Sequence, residues 1–187
     1  MTIAPARPVS RCYSPADAVA DELATGLHID IAVGTGSGPT ELAAFDTALE
    51  AAGIANFNLV RLSSVIPAGA TVGLGTSQSP MLGNWGDRLY VVYADQYSSR
   101  PGQEAWAGIG WVQMENHGAG LFVEHHGPTE HAVRDDIRTT LTDMCVRRGL
   151  EHLEQKVIVA GITCIDDPVC ALVVAPYSTA GWDKGGV

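Results

Sequence analysis

Between Arg88 and His125, and again between Lys156 and Ala175, extended segments are joined by turns too short for any connection but a fold-back. Arg88–Tyr97 and Glu104–Glu115 read as strands, and the residues between them, SSRPGQ, have turn chemistry. Gly120–His125 is a further strand. Lys156–Cys164 and Val169–Ala175 flank the turn Asp166-Asp167-Pro168. A parallel pair needs a crossover of about a dozen residues or more, so such spacing imposes largely antiparallel pairing. Two further extended segments lie upstream. Leu27–Val33 alternates with period two, and Asn56–Ile66 runs as one strand until Pro67.

Two helical stripes interrupt the strands. Leu42, Phe45, Leu49 and Ala52 recur at spacings of three and four, with Gly53 placed to end the helix. A second helix is expected over Glu130–Arg148, capped by Thr129 and buried along Val133, Ile137, Leu141 and Met144. Asp135 and Asp136 near its start, Arg147 and Arg148 at its end and Gly149 beyond suit the helix dipole and a C-terminal cap. Strands dominate, each helix has one apolar face to bury against a sheet, and the class is α+β.

At 187 residues the chain is one domain, 1–187, large enough for a real core. Its net charge of −10 argues against nucleic acid, which needs clustered Lys and Arg. No apolar run approaches the roughly 20 residues of a membrane span, and residues 1–10 lack the apolar segment of a secretory signal. A cytoplasmic location and no membrane partner are therefore expected. The first dozen residues, with Pro5 and Pro8 in them and Pro15 nearby, read as a loose lead-in. Cys12, Cys145, Cys164 and Cys170 show no C-x-x-C spacing and are read as reduced, with Cys145 and Cys164 buried.

Other chemistry is weak. Residues 34–39, GTGSGP, sit between a strand and a helix as a phosphate loop would. Pro39 takes the place of the third glycine of G-x-G-x-x-G, and no Gly-Lys-Ser or Gly-Lys-Thr follows, so a tight turn is the expectation. His125 and His126 beside Glu124 would point to opposite faces of a strand and cannot readily share a metal; no metal is expected, and a solvated strand end is. G-x-S-x-G is absent.

The informative segment is residues 44–67, AFDTALEAAGIANFNLVRLSSVIP. Two adjacent serines in a strained backbone offer a particular reaction. The second hydroxyl can attack the preceding carbonyl and turn the amide into an ester. Elimination then leaves dehydroalanine, which tautomerises and hydrolyses to a pyruvoyl group and ammonia. The segment resembles the signature of pyruvoyl-dependent arginine decarboxylases in Ala44-Phe45-Asp46, Ala52-Gly53-Ile54, Asn56, Asn58-Leu59 and Ser63-Ser64-Val65-Ile66-Pro67, without a gap. Gly120-Leu121-Phe122-Val123-Glu124 is similar to a second family element, G-L-[IV]-x-E. The family has glycine where Ala55 stands, and residues 69–87 match no family element.

The resemblance implies a four-layer αββα sandwich, assembled as trimers with sites between subunits. It implies cleavage between Ser63 and Ser64 into a β chain, 1–63, and an α chain, 64–187, headed by a covalent pyruvoyl group made from Ser64. That group would form a Schiff base with the amine of L-arginine, release carbon dioxide and yield agmatine. Asn58, six residues before Ser64 and so on the same strand face, would assist self-processing. Glu124 would protonate the substrate α-carbon, sheltered by Leu121, Phe122 and Val123. Asp46 would receive the guanidinium, with Phe57 and Val65 also against the substrate. Two other readings stay open: a pyruvoyl decarboxylase for a different amino acid, and an unprocessed, non-catalytic oligomeric binding protein of the same fold.

Overall fold

The computed structural model describes residues 26–75 and 82–182. The proline-bearing lead-in and Cys12 lie outside them. Among the described residues there are two helices and nine strands: β1 (His28–Ser37), α1 (Glu41–Ala51), β2 (Asn58–Arg61), β3 (Val65–Ile66), β4 (Thr71–Leu74), β5 (Arg88–Ser98), β6 (Glu104–Gln113), β7 (Gly120–Gly127), α2 (Glu130–Arg148), β8 (Lys156–Thr163) and β9 (Val169–Ala180). They form a five-stranded sheet in the order β2-β5-β9-β1-β4 and a four-stranded sheet in the order β3-β7-β6-β8. Only β1–β4 and β2–β5 pair parallel.

Alternation within strands produces the layers. On β9, Val169, Ala171, Val173, Ala175 and Tyr177 enter the core between the sheets, beside Ile29, Ile31, Ile109 and Phe122. The intervening Cys170, Leu172 and Val174 face α1 and pack on Ala44, Ala48 and Leu49. On the other sheet, Val112, Leu121 and Val123 meet Val133, Ile137, Leu141 and Cys145 of α2. The result is helix, sheet, sheet, helix.

The helix ends follow from their sequences. Thr40 and Thr129 accept hydrogen bonds from the N–H of Ala43 and Ala132, and Gly149 adopts the left-handed conformation that ends α2. The charged ends of α2 lie as the dipole favours, with Glu130 in its first turn and Arg147 and Arg148 in its last. Cys145 and Cys164 are buried as expected, and so is Cys170.

The glycine stretch departs from expectation. Gly34 to Ser37 are not a loop; they continue β1 and pair with β9. A Cβ at Gly34 would lie 2.0 Å from the carbonyl oxygen of Ala48, and one at Gly36 2.4 Å from that of Ala44. The glycines let α1 lie directly on the strand. Residues 69–87, which matched no element, contribute β4, parallel to β1. β9 runs past Pro176 to Ala180.

The single strand expected over Asn56–Ile66 is also corrected. β2 belongs to the five-stranded sheet and β3 to the four-stranded one. Leu62 N–H still bonds to the carbonyl of Val91, and the chain then crosses between sheets through Ser63 and Ser64.

Candidate active site

The crossing has a singular geometry. Among the described residues Ser64 is the one non-glycine with positive φ, +66°. A side chain in the left-handed region crowds its own carbonyl, and holding it there costs on the order of 1–3 kcal/mol. Two contacts hold it. The carbonyl of Ser64 accepts the N–H of Phe122 at 2.9 Å, and its hydroxyl donates to Oε1 of Glu124 through a short hydrogen bond. Immediately downstream, Val65 pairs with Leu121 and Ile66 with Gly120, locking β3 to β7.

Glu124 is half-buried on β7. The strand alternation places it with Phe122, on the face toward the other sheet. Leu121 and Val123 face α2, so of the three apolar neighbours expected to shelter it only Phe122 shares its face. His125 is not solvated as expected; its Nε2 lies 2.8 Å from Oγ1 of Thr140 on α2, while His126 is exposed.

Tyr177, which the sequence reading did not single out, completes the neighbourhood. Its hydroxyl donates to the carbonyl of Val65 at 3.0 Å, and its ring meets Phe122 edge-on with centroids 6.2 Å apart. Burial and then the charge of Glu124 push its phenol above its ordinary range, so it remains a donor. The visible signal was the alternation of β9, which continues in step through Tyr177.

Of the other candidates only Val65 adjoins this cluster, through its backbone. Asn58 does not share a strand face with Ser64, because the strand breaks and the backbone turns left-handed between them. Its Nδ2 donates to the carbonyl of Gly86 at 2.6 Å, and its backbone N–H to that of Asp87 at 2.8 Å. Asp46 is exposed on α1, outside the five-stranded sheet. Phe57 is half-buried under the loop at Gly83, whose position leaves no room for a Cβ against the ring. Val65 is 56% exposed, with its side chain directed away from the core. A cavity of about 880 Å³ lies elsewhere, between the 114–118 loop and the segment after α2; Ser64, Glu124, Asn58 and Asp46 do not line it. Among the described residues no helix is long and apolar enough to cross a membrane.

A protein from Halobacterium salinarum named pyruvoyl-dependent arginine decarboxylase is 39% identical over 152 residues, covering 80% of this chain and 93% of its own. Proteins of the same name from Thermococcus kodakarensis and Pyrococcus abyssi are 37% and 39% identical, covering 79% and 75% of this chain and 94% and 89% of theirs. A solved pyruvoyl-dependent histidine decarboxylase overlaps 58% of this chain and 57% of its own at 19% identity and a TM-score of 0.38, a likeness too slight to add weight. The family model for pyruvoyl-dependent arginine decarboxylase matches residues 28–180, from the first residue of β1 to the last of β9 and with the strained serine inside it, and the chain belongs to that family.

Proposed function

We propose that this chain is a proenzyme that cuts itself between Ser63 and Ser64 and then decarboxylates L-arginine to agmatine. The observation that carries the first half is the left-handed Ser64 with its hydroxyl on Glu124. Backbone strain at the bond to be broken lowers the cost of leaving the amide, and Glu124 is placed to take the hydroxyl proton as Oγ attacks the carbonyl carbon of Ser63. The peptide C–N bond breaks, the nitrogen of Ser64 gains a proton, and an ester joins the two residues. Loss of the Cα proton of Ser64 expels the Ser63 carboxylate and ends the β chain at 63. The enamine left at 64 tautomerises, and water replaces its nitrogen, which leaves as ammonia.

The residues present fit a pyruvoyl group at position 64. Phe122 N–H already holds the carbonyl that would become the group's amide, and β3 fixes the chain just beyond it. When formed, the group supplies an electron sink for the bond between the substrate α-carbon and its carboxylate. Glu124 then faces the reacting centre and delivers the proton that the α-carbon requires. Asn58 supports processing at one remove: its two bonds to the 86–87 turn fix β2, the segment that leads into Ser64. Asp46 receives the guanidinium, with Phe57 and Val65 beside the substrate. In one chain Asp46 lies beyond the five-stranded sheet from Ser64, so a second copy presents it, as in a homotrimer.

The test is the mass of the fragments. Purified protein run under denaturing conditions should give two chains, with the larger starting at 64 and lacking a free amine. A single full-length chain with no arginine decarboxylation would replace this reading with the binding protein.

A further inference from the structure

Pairing between β5 and β9 slips at one place: Tyr90 faces Ser178 and Val91 faces Pro176, so Tyr177 is an extra residue with no partner on β5. Such bulges re-aim a side chain and often sit beside reactive sites. Pro176 has no N–H to lose from the ladder, which makes this an inexpensive position for the irregularity. The side chain at the bulge is 9% exposed and crosses from the five-stranded sheet to the other, ending on the carbonyl of Val65. That carbonyl is one peptide beyond Ser64. The bond is therefore a side-chain link between β9 and β3, the two-residue strand that begins just after the proposed cleavage site.

We propose that Tyr177 is a positioning residue for the decarboxylation step, a clamp that keeps the new head of the α chain against Glu124 once the bond to Ser63 is gone. The proposal rests on self-cleavage at Ser64. Before cleavage the strand is tethered from both ends, by β2 on one side and β4 on the other. Afterwards the N-terminal tether is lost, and position 64 is held by the Phe122 N–H, two residue pairs to β7 and the Tyr177 hydroxyl. The clamp matters little to cutting and much to turnover.

Where the proton lands reports on this placement. Delivered to the substrate α-carbon, it gives amine product and leaves the pyruvoyl head intact. Delivered to the pyruvoyl carbon instead, and followed by hydrolysis, it leaves alanine at the head of the α chain and releases the decarboxylated substrate as an aldehyde. The substrate's nitrogen and two electrons then stay on the chain, and water supplies the aldehyde oxygen. A loosened head favours this second outcome, because Glu124 no longer faces a single carbon.

Tyr177→Phe keeps the ring against Phe122 and removes only the hydroxyl. The variant and parent are compared for extent of cleavage, kcat, KM and the mass of the α chain after many turnovers with arginine. Complete cleavage is expected in both, showing that the variant has folded. In the variant kcat should fall about tenfold, the scale of one hydrogen bond to a group left buried, with KM changed less than about twofold. Its α chains should accumulate N-terminal alanine, open to Edman degradation, faster per turnover than the parent's. Equal kcat and equal alanine would overturn the proposal, leaving Tyr177 as packing. A variant that fails to cleave overturns it too, since Tyr177 would then act before the bond breaks. A parent lacking a pyruvoyl head would instead sink the underlying reading, whatever the variant did.

Discussion

The hydroxyl of Ser64 donates to the carboxylate of Glu124 from sixty positions away in the chain. In the proposed cleavage that hydroxyl oxygen leaves with Ser63, as part of the β chain's new carboxylate. Glu124 loses its partner and inherits a place beside the carbon that its partner left. One contact in the proenzyme thus prepares two steps in sequence.

In the proposed cleavage the serines divide the labour unequally: Ser64 supplies the attacking oxygen, whereas Ser63 supplies only a carbonyl carbon. Ser64→Ala should remain one chain on a denaturing gel and have no decarboxylase activity. Ser63→Ala should still cut. A Ser64→Ala variant that splits at this bond, or a Ser63→Ala variant that stays whole though folded, would show that the hydroxyl of Ser64 is not the nucleophile.

Glu124→Gln separates the two steps. The carboxamide oxygen can still accept from the Ser64 hydroxyl, so the side chain stays oriented and cleavage should go to completion, if more slowly. The amide cannot release a proton to the α-carbon, and turnover should drop about a hundredfold or more. Unchanged turnover in cleaved Glu124→Gln would assign the proton to another group.

Much of this was legible in the sequence because periodicity and caps agree along α2, β6, β7 and β8. The failures share a physical cause, which is that local pattern does not record what a residue packs against. Gly34 and Gly36 read as a loop because glycine weakens a lone strand; here they admit the backbone of α1. The run from Asn56 to Ile66 reads as one strand stopped only by Pro67, so the period alone does not mark the crossing at Ser63–Ser64. The last strand is expected over Val169–Ala175, yet β9 passes Pro176 with a bulge at Tyr177 and runs on to Ala180. The resemblance supplied Ser64 and Glu124, and the structure brings that pair together. It leaves Asn58 and Asp46 elsewhere, because a motif lists residues in chain order without their positions in space.

The glycine packing predicts a stability effect away from the chemistry. Gly34→Ala would drive a methyl into the Ala48 carbonyl. Relief requires α1 to lift from β1, and overpacking of this kind costs about 1–3 kcal/mol. Urea unfolding should show a lower midpoint with little change in slope, while Gly53→Ala, where open space surrounds the position but φ is +77°, tests backbone strain alone. An unchanged midpoint for Gly34→Ala would mean that the helix does not sit this close.

Cysteine reactivity should follow burial. Burial, then the charge of Asp95, pushes the Cys170 thiol up to about 12, and burial pushes Cys145 up as well. A raised pKa leaves less thiolate, the reactive form, at any lower pH. At pH 8 neither should be alkylated in the native protein, and both should react once it is unfolded. Rapid native labelling at Cys170 would place it at the surface rather than under α1.

In the proposed site substrate choice rests on Asp46, and so does the proposal that two copies build one site. A carboxylate meets a planar guanidinium through two parallel hydrogen bonds, which an ammonium cannot match, so arginine should be preferred over lysine. An uncharged side chain would leave the carboxylate desolvated and unpaired, costing on the order of several kcal/mol, and should be rejected more strongly. Asp46→Asn should therefore lose kcat/KM for arginine while still cleaving at Ser64. Asp46 is exposed beyond the five-stranded sheet in its own chain, so in the proposed site the carboxylate used by a given Ser64 belongs to a neighbour. Ser64→Ala has Asp46 but no pyruvoyl head, and Asp46→Asn has the head but no carboxylate. Co-expressed, the two should form mixed assemblies with some complete sites and recover part of the activity that each lacks alone. No recovery in proven mixed assemblies would place Asp46 and Ser64 in the same copy, or remove Asp46 from the site. A parent that prefers a different amino acid would keep the pyruvoyl chemistry and reassign the pocket, with Ala55 the first position to change.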